Sequence, residues 1–402
     1  MMKRIGVLTG GGDTSALNAT LKGVCLKAEA LGFEVIGFIR GWAGLLDSGE
    51  YAILESNKID ADLGGTILKT SRTKLGKIEG GFEQAVKNLK RLKIDGFIPI
   101  GGDDTLSVAH RLAGIRTVAI TKTIDNDVGT NAPDGDVVNY EKIINYYTPG
   151  FATAAALVAE VVSLENGLRT TAYSHDRIIL VETMGMNAGW LGLAAAYGHP
   201  DFIIVPEYPV VFKDLEAKVL EHYERSKEVV IAVSEGAVGP DGKVLAEDDS
   251  NVDAFGHKKL GGCAEIVAKR LKDSLQDKLK TRNFNTVIPS YLWRCGSPTP
   301  TDRDNAIALG QKAVEELHEG AKARLACLVR KGDALVAASA PFSAIPRDAD
   351  GHLVPRRLDK RFYDPTTMSI TPAGVKYFEP ILGPMPTARR PAPLDIKRVA
   401  DA

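Results

Sequence analysis

Gly96-Phe97-Ile98-Pro99-Ile100-Gly101-Gly102-Asp103-Asp104-Thr105-Leu106 changes character halfway along its length. Its opening apolar run predicts a strand buried on both faces. Glycines and carboxylates follow, and a helix is expected to resume near Leu106. Further on the event repeats. Thr117-Val118-Ala119-Ile120 predicts a second strand, and Thr121-Lys122-Thr123-Ile124-Asp125-Asn126-Asp127 stands at its end. Two neighbouring strands would carry several acidic groups and one cation to a single sheet edge. In an open α/β sheet that edge is where ligands bind. Glycines that bare backbone N–H groups, beside carboxylates able to hold a hard cation, point to a phosphate–metal site.

With 402 residues the chain is long for one core, and two or three domains are expected. A formal net charge of −1 supplies no basic field for nucleic acid or an anionic membrane, so neither is expected as a partner. No apolar run has the length of a membrane span. Lys3 to Thr9 reads directly as a strand with no signal peptide before it. Cys25, Cys263, Cys295 and Cys327 lie far apart without metal-ligand spacing and read as free thiols, which suits a cytoplasmic location.

Outward from the deciding stretch, Ile5–Leu8 predicts a strand, Gly10-Gly11-Gly12-Asp13 a turn, and the residues from Ala16 a helix. A glycine triplet lets backbone approach a phosphate at a helix N-terminus, although a bare βα turn has the same composition. Phe33–Phe38 completes a βαβ unit. Gly64-Gly65-Thr66-Ile67-Leu68-Lys69-Thr70-Ser71-Arg72 ends in an arginine suited to clamping a phosphoryl group in transfer. A helix from Glu83 to Lys93 would turn Val86 and Leu89 inward. Alternation up to residue 138 predicts a doubly wound parallel sheet. A second α/β region then starts at Arg177, turns at Met184-Gly185-Met186, and passes through a strand ending in Ser234-Glu235-Gly236. Gly239 to Ser250 reads as an exposed loop, 262–281 as a helix, Phe284–Ile288 as a strand and Arg303–Gly320 as a helix. The proline-bearing tail beyond Pro384 reads as extended.

These motifs, in this order, resemble the phosphofructokinases. Thr9-Gly10-Gly11-Gly12-Asp13 with Asn18 is similar to that family's first phosphate loop. Gly101-Gly102-Asp103-Asp104-Thr105 and Thr123-Ile124-Asp125-Asn126-Asp127 are similar to its metal and catalytic loops. Met184-Gly185, Val205-Pro206-Glu207, Ser234-Glu235-Gly236 and Arg294 with Gly296-Ser297-Pro298 follow in the family's sequence. The resemblance implies two Rossmann-like, doubly wound α/β domains with mainly parallel sheets and an active site in the cleft between them. One domain would be 1–138 with about 295–345 and bind the donor; another, 139–294, would bind a sugar phosphate; 346–402 would be a partly irregular extension. The implied reaction is transfer of a phosphoryl group to the 1-hydroxyl of fructose 6-phosphate. Asp125 would act as base with support from Asp127, Asp103 would hold Mg2+, and Arg72 would neutralise the phosphoryl in flight. Gly11, Gly12 and Gly102 would cradle the donor. Thr123, Asp125, Arg177, Met184, Gly185, Glu235, Tyr291 and Arg294 would face the acceptor, with Arg177 reaching into a neighbouring subunit. Shared sites imply a homodimer or homotetramer.

Donor choice rests on two residues. ATP-using members resembling this chain carry glycine where Asp104 stands, and bacterial ATP users carry glycine where Lys122 stands. Asp104 with Lys122 is the pattern of pyrophosphate-dependent members, and a carboxylate there repels and crowds a third phosphate. The expectation is diphosphate as donor, in a reaction that runs both ways. On the acceptor side Met186 replaces the family's arginine, and Asn285 stands where bacterial ATP enzymes carry another. Alternatives are an ATP-dependent enzyme, a kinase for another phospho-sugar such as sedoheptulose 7-phosphate, and a silent sugar-phosphate sensor.

Overall fold

The apolar run of the deciding stretch becomes β4 (Gly96–Gly101), with every residue buried. It lies parallel between β1 (Arg4–Thr9) and β5 (Val118–Thr121). This burial on both faces is why the sequence there is continuously apolar instead of alternating. On one side β1 pairs in parallel with β2 (Glu34–Phe38), which β3 (Tyr51–Leu54) closes antiparallel. On the other, β5 pairs in parallel with β10 (Arg324–Lys331), which β11 (Ala334–Pro341) closes antiparallel. The resulting seven-stranded order is β11-β10-β5-β4-β1-β2-β3.

A second, all-parallel sheet has the order β7 (Phe202–Ile204), β8 (Val229–Ser234), β6 (Ile178–Thr183), β9 (Phe284–Val287). Two mainly parallel α/β sheets is the class expected from the sequence. The computed structural model describes 2–71, 73–112, 114–246, 262–389 and the positions 391, 392, 394, 397 and 399. Gly239 to Ser250 is thus described only as far as residue 246. Among the described residues no helix is long and apolar enough to cross a membrane. All four cysteines are unpaired.

Helices fix where the loops sit. The glycine triplet leads into α1 (Leu17–Ala30), which packs on α9 (Pro300–His318) with backbones almost touching. A Cβ on Gly23 would lie 2.1 Å from the Ile307 carbonyl oxygen, and one on Gly310 would lie 2.3 Å from that of Thr20. No larger residue fits this crossing, so the loop ahead of α1 is anchored. The second region enters through α4 (Phe151–Val162), where the buried Asp302 of α9 accepts from the Gly150 and Thr153 N–H groups. A carboxylate at a helix N-terminus compensates the free donors and dipole of its first turn.

One helix starts earlier than expected, and another lies within the C-terminal extension. α3 (Asp103–His110) begins at Asp103 and takes both aspartates into its first turn, where they complement the helix dipole. The chain beyond 345 joins the core through α10 (Pro372–Leu382). Tyr377 and Phe378 are fully buried, and the Tyr377 ring lies 4.6 Å from that of Tyr146 and 4.9 Å from that of Trp190. The stretch between β11 and α10, which includes a short antiparallel pair of Tyr363–Asp364 with Ser369–Ile370, is therefore held at both ends.

Candidate active site

Adjacent strand ends bring the deciding motifs together. Gly10 N–H donates to Ile100 at 2.9 Å and Lys122 N–H to Gly101 at 3.0 Å, so three loops leave the sheet side by side. The buried Lys122 ammonium donates to the Gly12 carbonyl. Thr70 Oγ1 donates to the Gly11 carbonyl at 2.7 Å, tying the second glycine segment to the first. Asn18 does not face the site: its amide bridges Leu63 and Ile67 and so shapes that second segment. Gly12 is glycine for a steric reason. A Cβ there would sit 1.7 Å from Arg294 Nη1, so the missing side chain lets the Arg294 guanidinium reach the glycine turn after β1.

The turn after Lys122 is tightly determined. Asp125 N–H donates to Thr123 Oγ1 at 3.0 Å, and Thr148 Oγ1 donates to the Thr123 carbonyl at 2.6 Å. Asn126 adopts a left-handed φ of 56°. Asp125 keeps partial exposure as a residue, but its Oδ1 is covered and has no hydrogen-bond partner among the described residues. Burial raises its carboxyl above the usual range, while Arg294 and Lys122 pull it back. Asp127 is pushed up to about 7 by burial and by Asp125. Lys122 is brought down to about 7 by burial and by Arg294, opposed by Asp13, Asp125 and Asp127. Displaced titrations clustered in one turn point to a place prepared for charge.

In the second sheet, Met184 and Gly185 follow β6, and Glu235 follows β8. Gly185 N–H donates to Glu235 Oε1 at 3.1 Å, and Glu235 N–H to the Thr183 carbonyl at 2.9 Å. Burial, then Asp125, pushes Glu235 up to about 7. Trp293 is core, with Nε1 donating to the Glu182 carbonyl at 3.0 Å. Two candidates stand apart. Tyr291 is 68% exposed. Arg177 immediately precedes β6, at the end opposite Met184, roughly 20 Å away by strand rise. Within one chain it belongs to another surface.

In the larger sheet, Asp103 begins α3 with Oδ1 accepting from Ser107 Oγ and from Leu353 N–H, both at 2.7 Å. His352 Nδ1 lies 3.5 Å from its Oδ2. Asp104 faces Lys74 at 3.6 Å on the wall of a cavity of about 370 Å3 that also includes Gly11, Trp42, Phe82 and His352. Among the described residues no three ligating side chains converge as a metal cage. A lone, partly exposed carboxylate fits magnesium, which keeps its waters and completes its shell with substrate phosphates. Arg72 lies outside the described residues. Sequence reading missed Arg356, whose N–H donates to the Asp127 carbonyl at 2.6 Å and whose Nε and Nη2 donate to the Asn126 carbonyl.

Two mainly parallel α/β sheets whose strand-end loops combine glycines, lysine and aspartates fit a phosphoryl-transfer class of protein. A family model described as Phosphofructokinase matches residues 4–317, and the chain belongs to that family. It is 39% identical to a pyrophosphate–fructose 6-phosphate 1-phosphotransferase of Dictyoglomus thermophilum, over 79% of this chain and 87% of that one. It is 36% identical to an ATP-dependent 6-phosphofructokinase of Streptomyces coelicolor, over 81% and 90%. In fold it is similar to a pyrophosphate-dependent phosphofructokinase of Nitrosospira multiformis, with a TM-score of 0.76 at 21% identity over 98% of this chain and 94% of that one. The chain is a phosphotransferase of the phosphofructokinase type.

Proposed function

We propose that the protein transfers a phosphoryl group, reversibly, from diphosphate to the 1-hydroxyl of fructose 6-phosphate. The observation that carries the acceptor chemistry is the covered, unpartnered Asp125 Oδ1 beside Lys122 and Arg294. In this reading Asp125 takes the hydroxyl proton as the sugar oxygen attacks phosphorus in line. The bond to the departing phosphate breaks, and its charge falls on Lys122, Arg72 and the N–H groups of Gly11, Gly12 and Gly102. Asp127 supports the turn. Thr123, Met184, Gly185, Glu235, Tyr291 and Arg294 face the sugar phosphate. Arg177, remote from its own site, serves that of a second copy in a dimer or tetramer. Asp103 would hold Mg2+, which when bound draws charge off the donor oxygens.

Diphosphate is favoured by Asp104. With Lys74 it places a fixed carboxylate on the wall of the donor cavity, where a third phosphate would meet repulsion. A second reading, ATP as donor, draws on the same cavity, because Trp42 and Phe82 give it flat apolar surface for a base. The test is a panel of diphosphate and ATP against fructose 6-phosphate and sedoheptulose 7-phosphate with Mg2+. Turnover with diphosphate and fructose 6-phosphate is expected. Faster turnover with ATP would overturn the donor assignment, and turnover of only the seven-carbon sugar would overturn the acceptor.

A further inference from the structure

The matched family region stops at residue 317, yet the chain beyond it reaches the acidic loops at two points. Leu353 N–H donates to Asp103 Oδ1 at 2.7 Å. Three residues on, Arg356 N–H donates to the Asp127 carbonyl at 2.6 Å. One short segment therefore spans the loop after β4 and the loop after β5.

The Arg356 guanidinium is buried, and no carboxylate lies within ion-pair distance of it among the described residues. Such a charge is costly unless every donor is matched. Here backbone carbonyls match it. Nε and Nη2 donate to Asn126 O at 3.1 and 2.7 Å, Nη2 to Asn126 Oδ1 at 2.5 Å, and Nη1 to Asn145 O at 2.8 Å. The guanidinium carbon lies 4.7 Å from the Trp190 ring centroid. Asn126 Nδ2 in turn donates to Tyr377 Oη at 2.8 Å, and Tyr377 Oη donates to the Tyr146 carbonyl at 2.5 Å. Asn126 is the left-handed residue between Asp125 and Asp127. Asparagine tolerates this left-handed conformation better than most residues, and Arg356 with Tyr377 fixes both its carbonyl and its side chain.

We propose that Arg356 is a positioning residue for the Asp125–Asp127 turn. With Leu353 on Asp103, it makes the segment 353–356 the part that holds the two acidic loops in register. It touches neither substrate and acts through Asn126. The arrangement also has an electrostatic consequence, because the Arg356 charge opposes the upward push on Asp127. The proposal rests on the reading of Asp125 as the base.

The test uses the full chain with diphosphate, fructose 6-phosphate and Mg2+. In Arg356→Lys the charge stays but the carbonyl bridge between Asn126 and Asn145 is lost. Its kcat is expected to fall by about 10–100-fold, the scale on which misplaced catalytic groups lose rate, while the fructose 6-phosphate KM stays within about twofold. In Arg356→Gln the charge goes too, and the acidic limb of the kcat–pH profile is expected to move upward. Tyr377→Phe, which leaves the guanidinium in place, is expected to lower kcat in the same way, and it keeps the proposal testable where an Arg356 variant fails to fold. Folded variants with unchanged kcat, or kcat losses that only follow loss of thermal stability with no change in the Arg356→Gln pH limb, would overturn it. Asp125→Asn run alongside separates the two ideas. Near-normal turnover of that variant would remove the base assignment, whereas a silent Arg356→Lys against an inactive Asp125→Asn would remove only the positioning role.

Discussion

Lys74 Nζ lies 3.6 Å from Asp104 Oδ1, a cation–carboxylate pair on the wall of the cavity that the proposed reaction assigns to the donor. Both groups are partly exposed, so the pair adds little stability. Its effect falls on what enters. A nucleoside triphosphate would bring its third phosphate toward the Asp104 carboxylate. Asp104→Gly removes that charge and bulk. The ratio of kcat/KM for diphosphate over ATP is expected to fall by about tenfold or more, the equivalent of roughly 1.4 kcal/mol of lost discrimination. Steady-state assays with both donors check this. An unchanged ratio would mean that Asp104 does not select.

Asp125 and Lys122, the base and the donor cation of the proposed reaction, titrate toward each other. Asp125 is raised above the carboxylate range by burial, so protonation switches the base off at a higher pH than for an ordinary aspartate. Lys122 is down to about 7, so the free enzyme loses the ammonium as pH rises through that value. The kcat/KM profile is therefore expected to be bell-shaped and narrow. Bound diphosphate restores the ammonium by its negative charge, so the alkaline limb of kcat, which reports the loaded enzyme, lies at higher pH than that of kcat/KM. Lys122→Met removes this difference between the two alkaline limbs and raises the donor KM. Asp125→Asn lowers kcat by about 10²–10⁴, the range of general-base catalysis, with the fructose 6-phosphate KM little changed.

What could be read locally was read. β4 and β5 are continuous apolar runs because they are buried on both faces, and Lys122, Asp125 and Asp127 follow a strand within a few residues. Trp293, next to Arg294, has no local sequence signal that separates a site aromatic from a core one, and its burial and its bond to the Glu182 carbonyl assign it to the core. β10 and β11 escaped because runs such as Ala337-Ala338-Ser339-Ala340 have weak strand propensity, and pairing with β5 decides them. Arg356 left no local signal. It lies in an irregular, proline-bearing stretch, and its partners Asn126 and Asn145 are 230 and 211 residues away. Asp104 on Lys74 and Asp103 on Leu353 are likewise contacts that only folding assembles.

Asp127 links the site to stability. Its carboxyl is raised to about 7 by burial and by Asp125, so between about pH 4 and 7 the folded chain holds a proton that the unfolded chain has released. Stability from this group therefore falls as pH rises through that window, and the cost is complete above about 7. Asp127→Asn abolishes it. The thermal midpoint of the variant is expected to exceed that of the parent at pH 8, by a few degrees for a gain of about 1–3 kcal/mol, and to match it near pH 4. Calorimetric scans at the two pH values decide the matter. A lower midpoint at pH 8 would show that hydrogen bonding of the carboxylate outweighs its burial.

Met186 bears on the acceptor. It follows Gly185 in the turn after β6, and its backbone is packed against Gly236, where a Cβ would lie 2.0 Å from the Met186 carbonyl oxygen. The backbone of the turn is thus fixed, while the side chain is only partly buried and has room to change. Met186→Arg puts a guanidinium on the turn that presents Gly185 to Glu235. A charge-assisted bond to a phosphate is worth about 1.5–3 kcal/mol, so the KM for fructose 6-phosphate is expected to fall by about 10–100-fold. The product, carrying a second phosphate, would be held more tightly as well, and kcat in the forward direction is expected to drop as release slows. Initial rates in both directions with product inhibition check the pair of effects. A lower KM with product inhibition strengthened by the same factor would place the new guanidinium on the 6-phosphate, which substrate and product share, and an unchanged KM would mean that the side chain at 186 does not reach the sugar phosphate.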